Sequence, residues 1–154
     1  MPKEIERKFL IANDGWEAGV QRSSFFAQGY LSYDTERTVR VRETDTHGFL
    51  TVKGLTVGLS RDEFEYEIPK DEAAELLKMC EHSPIQKRRY FVAHEGHIWE
   101  VDIFEGANEG LEVAEIELSR EDEEFVRPEW LGEEVSGDRR YSNSSLSLVP
   151  YKNW

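Results

Sequence analysis

The chain reads Glu4-Ile5-Glu6-Arg7-Lys8 near its start and continues as Phe9-Leu10-Ile11. In an extended strand successive side chains point to opposite faces, so Glu4, Glu6 and Lys8 share one face. Ile5, Phe9 and Ile11 share the other. A face with charges of both signs is not an ordinary core, and for a single strand solvent exposure is the usual explanation.

The same alternation of charged and apolar residues recurs in most later strands that can be drawn. Arg40 and Arg42 share a face opposite two valines, and Thr51 shares a face with Lys53. Charged faces that meet inside one closed sheet would form a polar tunnel. The apolar faces would then pack against helices outside it, and they carry Ile5, Phe9, Val39, Val41, Val52, Phe64, Tyr66, Ile68, Trp99, Val101, Ile103, Ile116 and Leu118.

Composition limits what such a tunnel could be. The 154 residues suit one domain spanning 1–154, and no linker or internal repeat divides them. The formal net charge of −13 argues against a duplex nucleic-acid binder, since phosphate contacts need a broad basic surface. Basic residues gathered in one cavity could still bind a small polyanion.

The cysteine count and the distribution of apolar residues indicate the cellular compartment. The one cysteine, Cys80, excludes an internal disulfide, and its place in an apolar helical pattern favours a buried position. We find no long apolar run and no basic, apolar leader, so we expect a cytoplasmic protein without a membrane span.

The local patterns predict about eight strands, mostly antiparallel, with a few helices inserted. We expect an amphipathic helix over 71–81 with Asp71 as its N-cap, and a short helix over 127–131 with Pro128 in its first turn. In the strand over 83–93 both parities carry basic and apolar residues, so the pattern does not show which face points inward. The tail from Asp138 is expected to be helix or coil, and it could cap one end of the tunnel.

Closing this sheet would put the charged parity inside, the inverse of a small barrel filled with apolar side chains. Desolvating many charges is unfavourable unless they pair, bind ions or stay hydrated. A water-filled channel with a bound metal and a bound anion resolves this difficulty. The predicted fold class is therefore α+β, mainly β.

At this point the motifs resemble the CYTH, or triphosphate tunnel metalloenzyme, superfamily. The resemblance spans nearly the whole chain, including Trp130-Leu131-Gly132-Glu133-Glu134-Val135 and Arg140-Tyr141-Ser142-Asn143 near the end. The motifs that carry it are Glu4-x-Glu6-x-Lys8, Arg40-x-Arg42, Thr51-Val52-Lys53-Gly54, Arg61-x-Glu63-x-Glu65, Lys87-x-Arg89-Tyr90, Trp99-Glu100-Val101-Asp102 and Glu115-x-Glu117.

The resemblance implies a closed, eight-stranded antiparallel β-barrel whose polar tunnel binds a triphosphate and Mg²⁺ or Mn²⁺. The residues implied as phosphate ligands are Lys8, Arg40, Arg42, Lys53, Lys87 and Arg89, with Arg61 as an addition. Those implied as the metal cluster are Glu4, Glu6 and Glu117, with Glu115 and Asp102 close by. Glu63 and Glu65 belong to a separate strand, and we expect them to orient or deprotonate the attacking water, either directly or through a second metal.

The family divides into inorganic, thiamine and RNA triphosphatases and class IV adenylate cyclases, and the fold does not choose among them. Hydrolysis of inorganic tripolyphosphate to pyrophosphate and phosphate needs only the metal and the cations. A nucleotide or thiamine enzyme also needs a pocket for an organic group, and the sequence shows no further aromatic or amide cluster for one. We therefore expect an inorganic triphosphatase acting on a small-molecule triphosphate.

Several alternatives stay open. They are a nucleoside or thiamine triphosphatase, a class IV-type adenylate cyclase, and a non-catalytic module that binds polyphosphate or a nucleotide. The acidic residues argue against the last, because carboxylates weaken anion binding unless metals occupy them. A homodimer is also left open.

Overall fold

The structure is a computed structural model that describes residues 2–154. Within these residues the chain forms nine strands, two α-helices and four short 3-10 helices. The strands are β1 (Lys3–Ile11), β2 (Val20–Ser32), β3 (Thr38–Glu43), β4 (Gly48–Lys53), β5 (Ser60–Ile68), β6 (Ile85–His94), β7 (His97–Phe104), β8 (Glu112–Glu117) and β9 (Leu131–Glu134). The helices are α1 (Lys70–Lys78) and α2 (Asn143–Leu148), and the 3-10 helices are Asp14–Gly19, Gly106–Asn108, Arg139–Tyr141 and Tyr151–Asn153.

Eight of the strands close into an antiparallel ring. Their order is β5-β4-β3-β2-β6-β7-β8-β1, and pairing between β1 and β5 closes the ring. At this closure Lys3, Glu4 and Ile5 lie opposite Asp62, Arg61 and Ser60. The predicted eight-stranded architecture is confirmed.

The ninth strand corrects one prediction, since residues 127–131 do not form a helix. Pro128 instead begins a turn in which its carbonyl accepts a hydrogen bond from the Leu131 amide (3.2 Å). β9 then pairs with the free edge of β1, with Leu131 opposite Ile11. That edge offers unpaired backbone groups beyond the β5 contact, and pairing with them outweighs the local helical signal.

The outer face of the ring carries the larger apolar core. Phe9, Trp99 and Ile116 are fully buried there, covered by Trp16 and Trp130 from the connecting segments. The rings of Trp99 and Trp130 meet edge to face, with their centroids 5.7 Å apart. The apolar parity identified in the sequence therefore packs outside the ring, as predicted.

α1 packs on the outside of β2, β3 and β4 through Ala73 and Leu77. The helix ends at Lys78 rather than at residue 81, and its N-cap is Pro69, so the prediction of Asp71 as the cap was wrong. The Asp71 carboxylate instead accepts a hydrogen bond from the amide of Glu72 within the first turn. A Cβ atom on Gly48 would lie 2.7 Å from the Ala73 Cβ atom, so this close helix approach requires a glycine.

The inner face changes character along the tunnel axis. At one end it is apolar, with Tyr30, Ile85, Phe104 and Val113 buried against Leu146 of α2. The C-terminal segment thus packs over this end of the ring. The rest of the inner face is mainly polar, and Phe26 lies there opposite Lys87. No helix among residues 2–154 is long and apolar enough to cross a membrane.

Candidate active site

Antiparallel register brings the predicted site residues onto the inner face of the ring. Lys53 lies opposite Glu63, Lys8 opposite Glu115, and Arg89 opposite Asp102. The ambiguity in β6 is resolved because Lys87 and Arg89 are buried inside. Arg88, at the other parity, is partly exposed and donates to the hydroxyl of Ser23.

A first cluster joins β1, β4 and β5. The Lys53 ammonium lies 3.0 Å from Glu4 Oε2 and 3.2 Å from Glu63 Oε2. Although burial opposes ionisation, Lys53 lowers the pKa of Glu4 to about 2. Burial raises the pKa of Glu63 to about 7, and the neighbouring Glu4 carboxylate adds to that shift. Glu63 is therefore poised to gain or lose a proton near neutral pH.

A second cluster joins β1 and β8. Lys8 Nζ lies 3.5 Å from Glu115 Oε1, and it donates a hydrogen bond to the backbone oxygen of Tyr141 (2.9 Å). Burial raises the pKa of Glu6 well above its usual range, and the nearby carboxylates of Glu115 and Glu4 raise it further. Glu115 shows the opposite shift, because Lys8 and Arg89 lower its pKa despite its burial. The two carboxyls thus share one negative charge.

A third cluster lies on β6 and β7. Asp102 is fully buried and accepts hydrogen bonds from Lys87 Nζ (2.7 Å) and from two nitrogens of Arg89. Arg89 also donates to Glu100 (3.0 Å), and Lys87 donates to Asn143 Oδ1 (3.1 Å). Burial lowers the pKa of Lys87 to about 7, with Arg89 adding to the shift and Asp102 opposing it.

The remaining cations lie on β3 and at the start of β5. Arg40 is 6% exposed and donates to the Thr51 hydroxyl (3.3 Å), with Glu65 at 3.5 Å. Arg42 donates to Gln28 Oε1 (3.0 Å). Arg61 donates to the backbone oxygen of Gly54 (3.1 Å).

A cavity of about 390 Å³ opens beside the first two clusters. Its wall includes Glu4, Glu6, Lys8 and Arg61, and its outer part is built by the loop before β5 and by residues 135–145. Glu117, predicted as a metal ligand, is exposed at the end of β8 opposite Glu6. The cavity gives solvent and small anions a route to the polar interior.

Sequence reasoning missed several polar groups that contact the predicted residues. Gln28 and Glu100 share a strand parity with other inner residues, so alternation could have found them. Asn143 and the Tyr141 carbonyl come from the C-terminal segment, where no periodic pattern indicates an inward position.

The carboxylates suit a hard divalent cation by their chemistry, since Mg²⁺ and Mn²⁺ both prefer oxygen ligands. Across residues 2–154, no group of three or more His, Cys, Asp or Glu side chains is gathered closely enough to hold a metal ion. The acidic residues occur instead as the hydrogen-bonded pairs Glu4/Glu63 and Glu6/Glu115. Burial, and after it the neighbouring carboxylate, raise the pKa values of Glu6 and Glu63, and a cation beside either pair would offset both effects. By their chemistry the residues therefore fit a metal.

Comparison with known proteins agrees with this geometry. The family model of the CYTH domain matches residues 2–150, and the chain therefore belongs to the CYTH family. A protein named inorganic triphosphatase from Acetivibrio thermocellus is 49% identical over 155 residues, covering 100% of this chain and 99% of that protein.

Two further comparison findings carry the same name. An inorganic triphosphatase from Nitrosomonas europaea is 37% identical over 149 residues, covering 94% of this chain and 97% of that protein. A crystal structure titled as an inorganic triphosphatase superposes with a TM-score of 0.70 at 34% identity, covering 96% of each chain.

Proposed function

We propose that this protein is a divalent-metal-dependent inorganic triphosphatase that hydrolyses tripolyphosphate to pyrophosphate and phosphate. One observation carries the proposal: a closed ring directs lysines, arginines and carboxylates from seven strands into one interior. A small, highly charged anion with a bound cation matches such an interior. The full-length relatives named inorganic triphosphatase support the same activity.

The inward-facing cations are the proposed phosphate ligands: Lys8, Arg40, Arg42, Lys53, Arg61, Lys87 and Arg89. Arginine presents a planar fork of donors that suits phosphate oxygens, and lysine adds a compact charge. In the free protein these cations are held by carboxylates and by neutral oxygens such as that of Asn143. Their positions are therefore fixed before the anion arrives, which reduces the cost of organising the site.

Glu4, Glu6, Glu115 and Glu117 are the proposed residues for holding Mg²⁺ or Mn²⁺. When bound, the ion would neutralise charge that develops on the phosphate oxygens. Asp102, the fifth expected ligand, contacts Lys87 and Arg89 instead of this acidic group. We assign Asp102 to positioning those two cations.

Glu63 and Glu65 are the proposed groups for orienting and deprotonating the attacking water. The water oxygen bonds to a terminal phosphorus, the bond from that phosphorus to the bridging oxygen breaks, and the water proton passes to a carboxylate. A pKa of about 7 suits Glu63 to this exchange, because a general base works best when its pKa lies near the operating pH. The cations stabilise the charge on the leaving pyrophosphate.

The deciding experiment compares phosphate release from tripolyphosphate, ATP and thiamine triphosphate at equal concentration, with a parallel assay for cyclic AMP. We expect the largest kcat/KM for tripolyphosphate. Faster hydrolysis of ATP or thiamine triphosphate, or formation of cyclic AMP, would replace the proposed substrate. Binding of tripolyphosphate without turnover in Mg²⁺ or Mn²⁺ would identify a binding module.

The proposal also includes the cellular compartment and the substrate class of the enzyme. We place it in the cytoplasm with a small-molecule substrate, which the single cysteine and the acidic composition support.

A further inference from the structure

Gln28 occupies an unusual position on the inner face of β2. It lies opposite Arg42 of β3, and its side chain is fully buried. Its Oε1 atom accepts a hydrogen bond from Arg42 Nε (3.0 Å). Because Arg Nε–H can only donate, the atom facing it must be the amide oxygen. The orientation of the amide is thereby fixed, and its NH₂ group points away from Arg42.

This NH₂ group has no hydrogen-bond partner anywhere in residues 2–154. A buried amide donor normally finds an acceptor, so an orphaned one requires an explanation. Nε of Arg40 is also buried and lacks an acceptor in the same part of the chain. Gln28 and Arg40 are diagonal neighbours on the inner faces of β2 and β3, since their direct partners are Arg42 and Tyr30. Two orphaned donors therefore lie on adjacent strands of the tunnel wall.

The surroundings favour an anionic acceptor. The guanidinium groups of Arg42 and Arg89 lie over the ring of Phe26, 4.5 Å and 5.0 Å from its centroid. Burial lowers the pKa of Arg42 to about 9, and the nearby charges of Arg40 and Arg89 add to the shift. This region thus holds more positive charge than the nearby carboxylates compensate, so an anionic oxygen would satisfy both the charge and the free donors.

We propose that Gln28 is a substrate-binding residue whose amide nitrogen donates a hydrogen bond to a phosphate oxygen of the bound anion. The proposal rests on the triphosphatase function and adds a neutral ligand to the charged ones. A neutral donor adds direction without adding repulsion among the arginines. Its amide oxygen holds Arg42 at the same time, so one side chain sets the positions of two donors relative to the phosphate.

Two substitutions separate the two ends of this amide. Gln28→Glu keeps an oxygen for Arg42 Nε, removes the donor and places a negative charge beside the phosphate. Gln28→Met has a similar length and removes both functions. Gln21→Met is the matched control, because Gln21 lies on the same strand with an exposed side chain. Tripolyphosphate is titrated calorimetrically into each metal-free, full-length protein, and the thermal midpoint of unfolding is measured without ligand.

We expect both Gln28 variants to raise the Kd for tripolyphosphate by about tenfold or more, the usual effect of losing a hydrogen bond to a charged group. Gln28→Glu should bind most weakly yet unfold at or above the wild-type temperature, because its carboxylate pairs with Arg42. If Gln28 had only a structural role, the variant with the lowest thermal midpoint of unfolding would instead be the one that binds tripolyphosphate most weakly. Tripolyphosphate binding by Gln28→Glu within twofold of the Gln21→Met control would overturn the proposal.

Phosphate release by the wild-type protein keeps this test separate from the proposed function. If the wild type hydrolyses tripolyphosphate while the Gln28 variants bind it normally, the function stands and the role of Gln28 is wrong. If the wild type binds without hydrolysis and the variants lose affinity, Gln28 is a ligand in a protein that is not a triphosphatase.

Discussion

Arg89 and Asp102 lie directly opposite each other on β6 and β7 and form a buried, two-pronged ion pair, with Nε–Oδ1 and Nη2–Oδ2 distances of 2.7 Å and 2.8 Å. Asp102→Asn should destabilise the fold by about 3–5 kcal/mol, since it leaves buried cations uncompensated. Urea denaturation measures this loss.

Asp62→Asn is the control for that measurement. Asp62 pairs with Lys3 at the surface, and both side chains are substantially exposed. Exposed pairs contribute about 0–1 kcal/mol, so the control should change the free energy of unfolding little. Equal effects of the two substitutions would show that the buried pair does not stabilise the protein.

Arg40→Ala should lower kcat for tripolyphosphate by about 10²-fold or more, because a phosphate held by fewer donors is poorly positioned for attack. The fold should persist, since the change removes one cation from a crowded interior. Steady-state kinetics and a thermal melt test the two expectations. Arg37→Ala, at an exposed arginine paired with Asp34, is the control. Unchanged kinetics for Arg40→Ala would exclude Arg40 from the phosphate site.

Glu63→Gln and Glu65→Gln should cut kcat by about 10²-fold or more while metal and substrate still bind, as expected for loss of a positioned base. Glu4→Gln should instead weaken metal affinity. Calorimetric titration of Mn²⁺ and of a nonhydrolysable triphosphate analogue distinguishes the two effects. Glu67→Gln, at an exposed residue of the same strand, serves as the control. Loss of metal binding in the Glu63 and Glu65 variants as complete as in Glu4→Gln would make all three metal ligands.

Removing divalent metal should abolish hydrolysis, because the paired carboxylates of Glu4/Glu63 and Glu6/Glu115 would then face the phosphates without a neutralising ion. Phosphate release is measured after chelation and again after addition of Mg²⁺ or Mn²⁺. Restoration by either ion is the expected result. Full activity in a metal-stripped sample would contradict the proposed metal dependence.

The lowered pKa of Glu123 predicts how the free energy of unfolding changes at acid pH. Hydrogen bonds from Ser119 and His97 lower its pKa to about 2 from an ordinary value of 4.5. A depressed folded-state pKa stabilises the protein above pH 4.5, and this contribution disappears as the pH falls towards about 2. Glu123→Gln should therefore be less stable than wild type at pH 7 and similar to it near pH 2.

Urea unfolding at a series of pH values measures that difference. Glu124→Gln, at the exposed neighbouring residue, should follow the wild-type curve throughout. A gap between Glu123→Gln and wild type that stays constant with pH would exclude the proposed ionisation.

Alternation along the strands was sufficient to assign the two faces of the ring. Glu4, Glu6 and Lys8 face inward and Phe9 is buried outside, because side-chain direction in a strand depends only on residue parity. The same rule did not show which face of β6 points inward, because both parities of that strand carry a basic residue. Residues 127–131 were misread because Pro128 is common both at helix starts and in turns.

The sequence by itself therefore determined the eight strands of the ring and, outside β6, the polar inner face and the residue types on it, since these follow from local periodicity. Only the tertiary structure decided which groups meet. Lys8 reaches the Tyr141 carbonyl across 133 positions of sequence, and Lys87 reaches Asn143 across 56. Such contacts depend on strand register, ring closure and the path of the C-terminal segment. These are set by the packing of the whole chain, which no short stretch of sequence encodes.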